Sequence, residues 1–278
     1  MAQGCADRFG VDERIMNANK ERIEKIQKLM KEAGIDVYYI PMDDWHGSEY
    51  VADHFRVVEF VSGFTGSAGQ LVITEKGAWL FADGRYWIQA ARQIEGSGIE
   101  LIKWGSKDAP EPAEFIASKM KEAGEKAVFG FDGNVVNIKA AEDFIKKIAK
   151  ALAIKPEDVK TDSSRDLAGE VWQERPAQKF SPLFNFELKY SGETTESKLA
   201  RIREKVEEEL PGEDYELLIN SLEDIAWIFN VRAKDIPDDP IPFAFAGISR
   251  DKARLYVGKG CAGEEVLAVL KGQGVTGD

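Results

Sequence analysis

His46 and His54, the chain's two histidines, stand eight residues apart, without the i, i+4 spacing that sets two metal ligands on one helix face. That pattern predicts no metal role for them. His46 reads instead as a hydrogen-bonding loop residue that fixes a turn, and His54 as ordinary surface. Asp43 and Asp44 are adjacent, so their carboxylates diverge and make a poor acid/base pair. Cys5 and Cys261 lie too far apart for a metal knuckle or a disulfide framework and read as free thiols. No serine or cysteine triad is legible. Outside the glycine-punctuated stretch 60–91, the most site-like place is the loop 42–50, where Trp45, His46 and Tyr50 follow a short apolar strand, the place where α/β folds tend to keep their sites.

A second candidate is the stretch 60–91, punctuated by Gly63, Gly66 and Gly69 with small Ser67 and Ala68 between them. Such a backbone can take positive φ and lie close against another segment. Phosphate-cradling loops open a helix, whereas Gly69 opens the β-branched run 71–74, and the string lacks both G-x-G-x-x-G and a following Lys-Ser/Thr. A nucleotide site is therefore not expected. The turn at 75–77 returns the chain into 79–81, Asp83-Gly84 ends that strand, and 85–94 shows Trp87, Ile88, Ala91 and Ile94 at helical spacing.

Positioning these residues falls to alternating helices and strands. Residues 1–19 carry no sustained period and read as an arm. Ile23, Ile26, Leu29 and Met30 mark a helix over 20–33 with Gly34 at its C-cap, and 37–40 is a strand stopped by Pro41. A strand at 99–104, a helix at 111–123, a strand at 128–131 and a helix at 138–152 follow. This alternation predicts an α/β fold with helices on both faces of a mixed sheet. The polar stretch 156–165 is the expected boundary, giving domains at 1–165 and 166–278.

The second half repeats the plan: a helix at 194–210, a strand at 215–219, a hairpin of 244–249 with 254–257, and a helix at 263–270. Ser221 is placed to cap a helix whose first turn carries Glu223 and Asp224. The first domain continues for about sixty residues beyond its equivalent helix, whereas the second has only 272–278, so the second copy reads as incomplete and the chain as part of a longer protein.

A length of 278 residues suits two domains, and 44% apolar with 31% charged residues describes an ordinary globular composition. The net charge of -12 repels phosphate backbones and anionic lipid, which argues against nucleic-acid and membrane partners. The first twenty residues hold no apolar signal core and no run is long enough to span a bilayer, so a cytoplasmic location is expected.

Val-Ser-Gly-Phe-Thr-Gly-Ser-Ala-Gly at 61–69 and Ala-Asp-Gly-Arg-Tyr-Trp-Ile-Gln-Ala-Ala at 82–91 resemble the first-domain signature of cytosolic Xaa-Pro aminopeptidases, in the creatinase and prolidase superfamily. Residues 167–176 (Leu-Ala-Gly-Glu-Val-Trp-Gln-Glu-Arg-Pro) and 221–235 resemble that family's second domain, in the same order. The resemblance implies two similar creatinase-N-terminal-like domains, each a mixed sheet with helices on both faces. It also implies a parent metallopeptidase that removes the residue before a penultimate proline. Two divalent metals, usually manganese, would be held by Asp, Asp, His, Glu and Glu of a further, C-terminal domain. No catalytic, metal or cofactor residue is then expected in this chain. Its part would be homodimer contact and walls around the cleft, with Trp45, His46, Arg85, Tyr86 and Trp87 as candidates and Gly63, Gly66, Gly69 and Gly84 as structural glycines. The alternative implied by the resemblance is a non-catalytic peptide- or protein-binding module, as in a histone-chaperone relative.

Overall fold

A computed structural model describes residues 13–276, in two compact units. Cys5 and the arm expected at 1–19 lie outside the described residues as far as residue 12, and from Glu13 the chain is already helical. The first unit comprises residues up to Trp45 and Asp53–Pro176. Its elements are α1 (Glu13–Ala33), β1 (Val37–Pro41), α2 (Val57–Ser62), β2 (Gly69–Thr74), β3 (Gly77–Ala82), α3 (Trp87–Gln93), β4 (Ile99–Lys103), α4 (Pro112–Ala123), β5 (Val128–Phe131), α5 (Ile138–Leu152), β6 (Lys160–Asp162) and α6 (Leu167–Val171). The sheet runs β4-β3-β2-β1-β5-β6. β1, β2 and β3 pair antiparallel, whereas β3–β4, β1–β5 and β5–β6 pair parallel, so the sheet is mixed.

Strand alternation sends residues to two cores. Tyr38, Ile40, Leu71, Ile73, Ala78 and Leu80 meet Ile23, Ile26 and Met30 of α1, Val58 and Val61 of α2, and Ala90 and Ile94 at α3. On the opposite face Val37, Tyr39, Val72 and Phe81 lie under Ile116 and Met120 of α4 and Ile148 of α5. Two elements were not legible in the sequence. The six-residue α2 is stopped by Gly63 at φ 76, whose N–H donates to Glu59 O at 2.7 Å. The polar stretch read as a boundary contains β6, an edge strand, which needs only one neighbour and so requires no apolar run. Beyond it, α6 belongs to the first unit rather than the second. Leu167 and Ala168 are core residues, Leu167 N–H donates to the Tyr38 hydroxyl at 3.1 Å, and that hydroxyl donates to Arg165 O at 2.8 Å.

The second unit comprises His46–Ala52 and the chain from Ala177. Its elements are β7 (Phe184–Asn185), α7 (Leu188–Ser191), α8 (Thr195–Glu209), β8 (Glu216–Ile219), α9 (Leu222–Phe229), β9 (Val231–Arg232), β10 (Ala244–Ser249), β11 (Ala253–Val257) and α10 (Glu264–Gly272). β7 and β9 form a two-residue antiparallel ribbon, Phe184 pairing with Arg232 and Asn185 with Val231. The main sheet runs β11-β10-β8, antiparallel throughout, and matches β3-β2-β1 register for register. Ile248 pairs with both Leu217 and Ala253, as Ile73 pairs with both Tyr38 and Ala78. Ser221 caps α9 by accepting from Asp224 N at 3.3 Å, and α9 ends on Asn230 at φ 50, where α2 ends on Gly63. The helix-to-strand turns repeat as well, with Gly98 at φ 79 before Ile99 and Gly274 at φ 78 before Val275. Leu199, Ile225, Phe229, Val266 and Leu270 pack with Ala244, Ala246, Ile248 and Leu255 in a single core on one face of this sheet.

Candidate functional site

The glycine stretch folds around its own phenylalanine. Phe64 is fully buried, and a Cβ on Gly66 would lie 2.2 Å from its Cζ, one on Gly69 2.7 Å from its Cε1. Only glycine leaves room for that ring at both positions. Tyr86 closes the pocket from α3's N-terminus. Its ring meets Phe64 edge-on at 5.6 Å, its hydroxyl lies 2.8 Å from Ser67 Oγ, and its Cδ1 would be 2.8 Å from a Gly66 Cβ. Gly63 is constrained by its own positive φ and by Asn19, whose Nδ2 donates to Ser62 O at 2.9 Å. The close approach that the glycine spacing predicts is therefore made to groups of the same unit.

Beside Tyr86 the remaining two candidates diverge. Arg85 is exposed and grips Asp83, Nη2 donating to Oδ2 at 2.7 Å and Nε to Oδ1 at 3.1 Å and Oδ2 at 3.2 Å, and this hydrogen bonding holds the Asp83 carboxyl below its ordinary range. Trp87 is half-buried and donates its indole N–H to Ala82 O at 2.8 Å, with Lys103 Nζ 5.9 Å from its ring. Gly84 is exposed, and a Cβ there would meet only the Trp87 ring at ordinary distance, 3.8 Å. Sequence reasoning missed Thr65, which binds Gln93 Oε1 through its N–H at 3.0 Å and accepts from Gln89 and Gln93 at 3.0 and 2.8 Å. The signal was the i, i+4 pair Gln89 and Gln93 on α3.

At the end of β1, Met42 N–H donates to Gly69 O at 3.1 Å, fixing the loop's departure. Burial pushes the Asp43 carboxyl up to about 6; the bond it accepts from Asp44 N at 2.9 Å opposes the shift, and the neighbouring Asp44 charge adds to it. Trp45 is 41% exposed and lies edge-on to Phe55, at 5.1 Å, and to His54, at 6.2 Å. His54 is not ordinary surface. Its Nδ1 lies 2.7 Å from Pro176 O, its own carbonyl accepts from Arg175 Nε at 2.8 Å, and it packs on Phe55. A backbone carbonyl can only accept, so His54 Nδ1 carries the proton.

His46 belongs to the second unit. Its Nδ1 donates to Asn220 O at 2.9 Å, and its ring sits 4.4 Å from Phe243 and 4.3 Å from Phe245. Both histidines thus spend a ring N–H on backbone, and among the described residues no three His, Cys, Asp or Glu side chains converge as metal ligands. These residues do not fit a di-nuclear metal centre. Burial raises the Cys261 thiol's pKa, away from a nucleophilic thiolate. No helix among the described residues is long and apolar enough to cross a membrane.

The sequence profile of the creatinase/prolidase N-terminal domain family matches residues 22–165, and a second profile of the same description matches 174–277. The chain is 36% identical over 255 residues to a probable Xaa-Pro aminopeptidase P of Pyricularia oryzae, covering 91% of this chain and 40% of that one. It is 34% identical to the Neurospora crassa counterpart, covering 96% and 38%. An X-prolyl aminopeptidase of Caenorhabditis elegans, described as a cytosolic enzyme with a di-nuclear active site, superposes with TM-score 0.83 at 25% identity, over 93% of this chain and 42% of that one. The chain spans about 40% of the length of the curated relatives it matches.

Proposed function

Since its two halves match one description in succession, this chain belongs to the creatinase/prolidase N-terminal domain family, and from that premise we propose that it is the non-catalytic N-terminal region of an Xaa-Pro aminopeptidase. The whole protein removes the residue ahead of a penultimate proline, using two divalent metals, manganese by preference, on ligands of a following domain. It works in the cytoplasm as a homodimer. The observation that carries this reading is 36% identity sustained over 91% of the chain, far beyond the glycine motif alone.

In this reading Trp45 and Arg85 are the wall residues, because they are the two candidates that stay exposed. Tyr86, Trp87 and His46 position loops through their bonds to Ser67, Ala82 and Asn220. Walls act by holding the peptide in register and excluding water. The test compares this chain with a longer protein carrying the Asp, Asp, His, Glu, Glu set, on an Xaa-Pro peptide with manganese. The chain alone is silent and the longer protein turns over. Arg85→Ala and Trp45→Ala in the longer protein each lower kcat/KM by about tenfold with folding unchanged. Turnover by the chain alone sinks the proposal, and unaltered kinetics in both variants removes the assigned walls.

A further inference from the structure

At the end of the first unit's sheet where α1 leads into β1 and the β2–β3 hairpin turns, the chain encloses a cavity of about 340 Å³. Met30, Ile35 and Thr74 are its buried floor. Gln27, Asp36 and Lys119 are half-buried walls, and Lys31, Glu75, Lys76 and Glu122 form an exposed rim. The walls are held in place from behind. Gln27 Nε2 donates to Thr74 O at 2.7 Å, and Asp36 Oδ2 accepts from Val128 N at 2.8 Å. Lys119 Nζ donates to Glu122 Oε1 at 3.0 Å and sits 4.7 Å from the Trp79 ring.

The cavity keeps hydrogen-bonding and charge capacity that the chain does not use. Thr74 is only 9% exposed, and its Oγ1 accepts from Lys76 N–H at 3.2 Å, yet its own hydroxyl hydrogen meets no acceptor among the described residues. A hydroxyl is a donor as well as an acceptor, so one buried donor is left over. Asp36 Oδ1 has no protein donor, and neither Lys31 nor Lys76 has an ion pair, among the described residues. The field at the cavity is mixed. α1 and α4 both end there, with Lys31 and Gly34 of one end and Glu122 and Ala123 of the other in its lining. Two negative helix ends and the Asp36 carboxylate favour a cation. The Thr74 hydroxyl and the ammonium groups of Lys31 and Lys76 favour an anion.

An apolar occupant would strand all of these groups, and a bare anion such as phosphate would face two helix C-termini. A molecule carrying both charges satisfies both sets. We propose that this cavity binds a small zwitterion, a free α-amino acid or a dipeptide, its ammonium toward Asp36 and the helix ends and its carboxylate toward the Thr74 hydroxyl, Lys31 and Lys76. Ligand pockets run from ~300 to ~1,000 Å³, and this one lies at the small end, which excludes a longer peptide. Every lining residue belongs to the first unit, so the site is complete within it. It goes beyond the functional reading above and does not depend on it.

Heteronuclear NMR on the 278-residue chain makes the test, with L-alanine and L-alanyl-L-alanine as probes. At least one of them shifts the amides of Asp36, Glu75, Lys76 and Ala123 saturably. N-acetyl-L-alanine and L-alaninamide, which each keep one charge of alanine, bind at least about tenfold more weakly than the zwitterion. Thr74→Val, and separately Lys31→Ala with Lys76→Ala, weaken binding by at least about tenfold, whereas Lys146→Ala, outside the cavity, leaves it unchanged. Three results overturn the proposal. They are the absence of saturable shifts at these amides up to ~50 mM of either probe, equal binding by a singly charged analogue, and unaltered affinity in the double lysine variant, whose exposed rim positions leave folding intact. None of these readouts involves peptidase activity, so failure here and failure of the functional reading are distinguishable.

Discussion

Gly66→Ala puts the packing of the glycine stretch to a direct test. Gly66 does not have a positive φ, so alanine costs nothing in backbone strain and the effect is purely steric. The new methyl would stand 2.2 Å from Phe64 Cζ and 2.8 Å from Tyr86 Cδ1. Carbon atoms rest at about 3.5–4.0 Å, so the Phe64 ring must retreat by more than ~1 Å. A fully buried ring in a close-packed core has nowhere to go without moving its neighbours. Overpacking of this kind costs about 1–3 kcal/mol, and the Tyr86 ring blocking the other side puts the expectation near ~3 kcal/mol. For a unit of this size that is a fall in Tm of roughly 6–12 °C. Phe64→Leu alone should cost about 1–2 kcal/mol through lost burial. Because the shortened side chain makes room for the methyl, the double variant should be more stable than the sum of the singles by at least ~1 kcal/mol. Urea unfolding of the four proteins, analysed as a double-mutant cycle, measures that coupling. A Gly66→Ala cost under ~0.5 kcal/mol, or strict additivity with Phe64→Leu, refutes the packing argument.

Tyr38→Phe strips the hydroxyl that accepts from Leu167 N and donates to Arg165 O; the stranded groups should cost about 1–3 kcal/mol by urea unfolding, with earlier proteolysis after β6. Lys198→Met removes a buried ammonium that donates to Trp227 O at 2.6 Å and Asn230 Oδ1 at 2.7 Å, and should lower stability by about 1–3 kcal/mol, whereas an unchanged midpoint would show those acceptors re-satisfied by water. The Asp43 carboxyl, at about 6 when folded against ~3.9 when unfolded, gives the folded chain an extra proton in between. Its contribution is full below the unfolded value and lost as pH rises through the folded one. Asp43→Asn should therefore match the parent near pH 4, exceed it in stability near pH 7, and flatten the profile between, as read by Tm against pH.

Apolar patterning placed the strands at Val128–Phe131 and Ala244–Ser249, as short apolar runs, and the helix at Ile138–Leu152, by its 3.6-residue apolar period. Short or polar elements escaped it. α2 has too few residues to show a period, β6 needs only one neighbour, and α6 was assigned across a boundary that depends on the Tyr38 hydroxyl, far away in sequence. Sequence also determined the internal duplication and, through strings such as 61–69 and 82–91, the family, since residue order preserves both whatever the chain folds against. Tertiary structure decided everything that turns on which groups meet in space. It gave the glycines Phe64 and Tyr86 as neighbours, spent the Nδ1 protons of His46 and His54 on distant carbonyls, and left Arg85 and Trp45 exposed. The covered and bare sheet faces show the reason most plainly: Tyr39 and Leu218 occupy the same register position, and only the presence of α4 and α5 above one of them makes it a core residue.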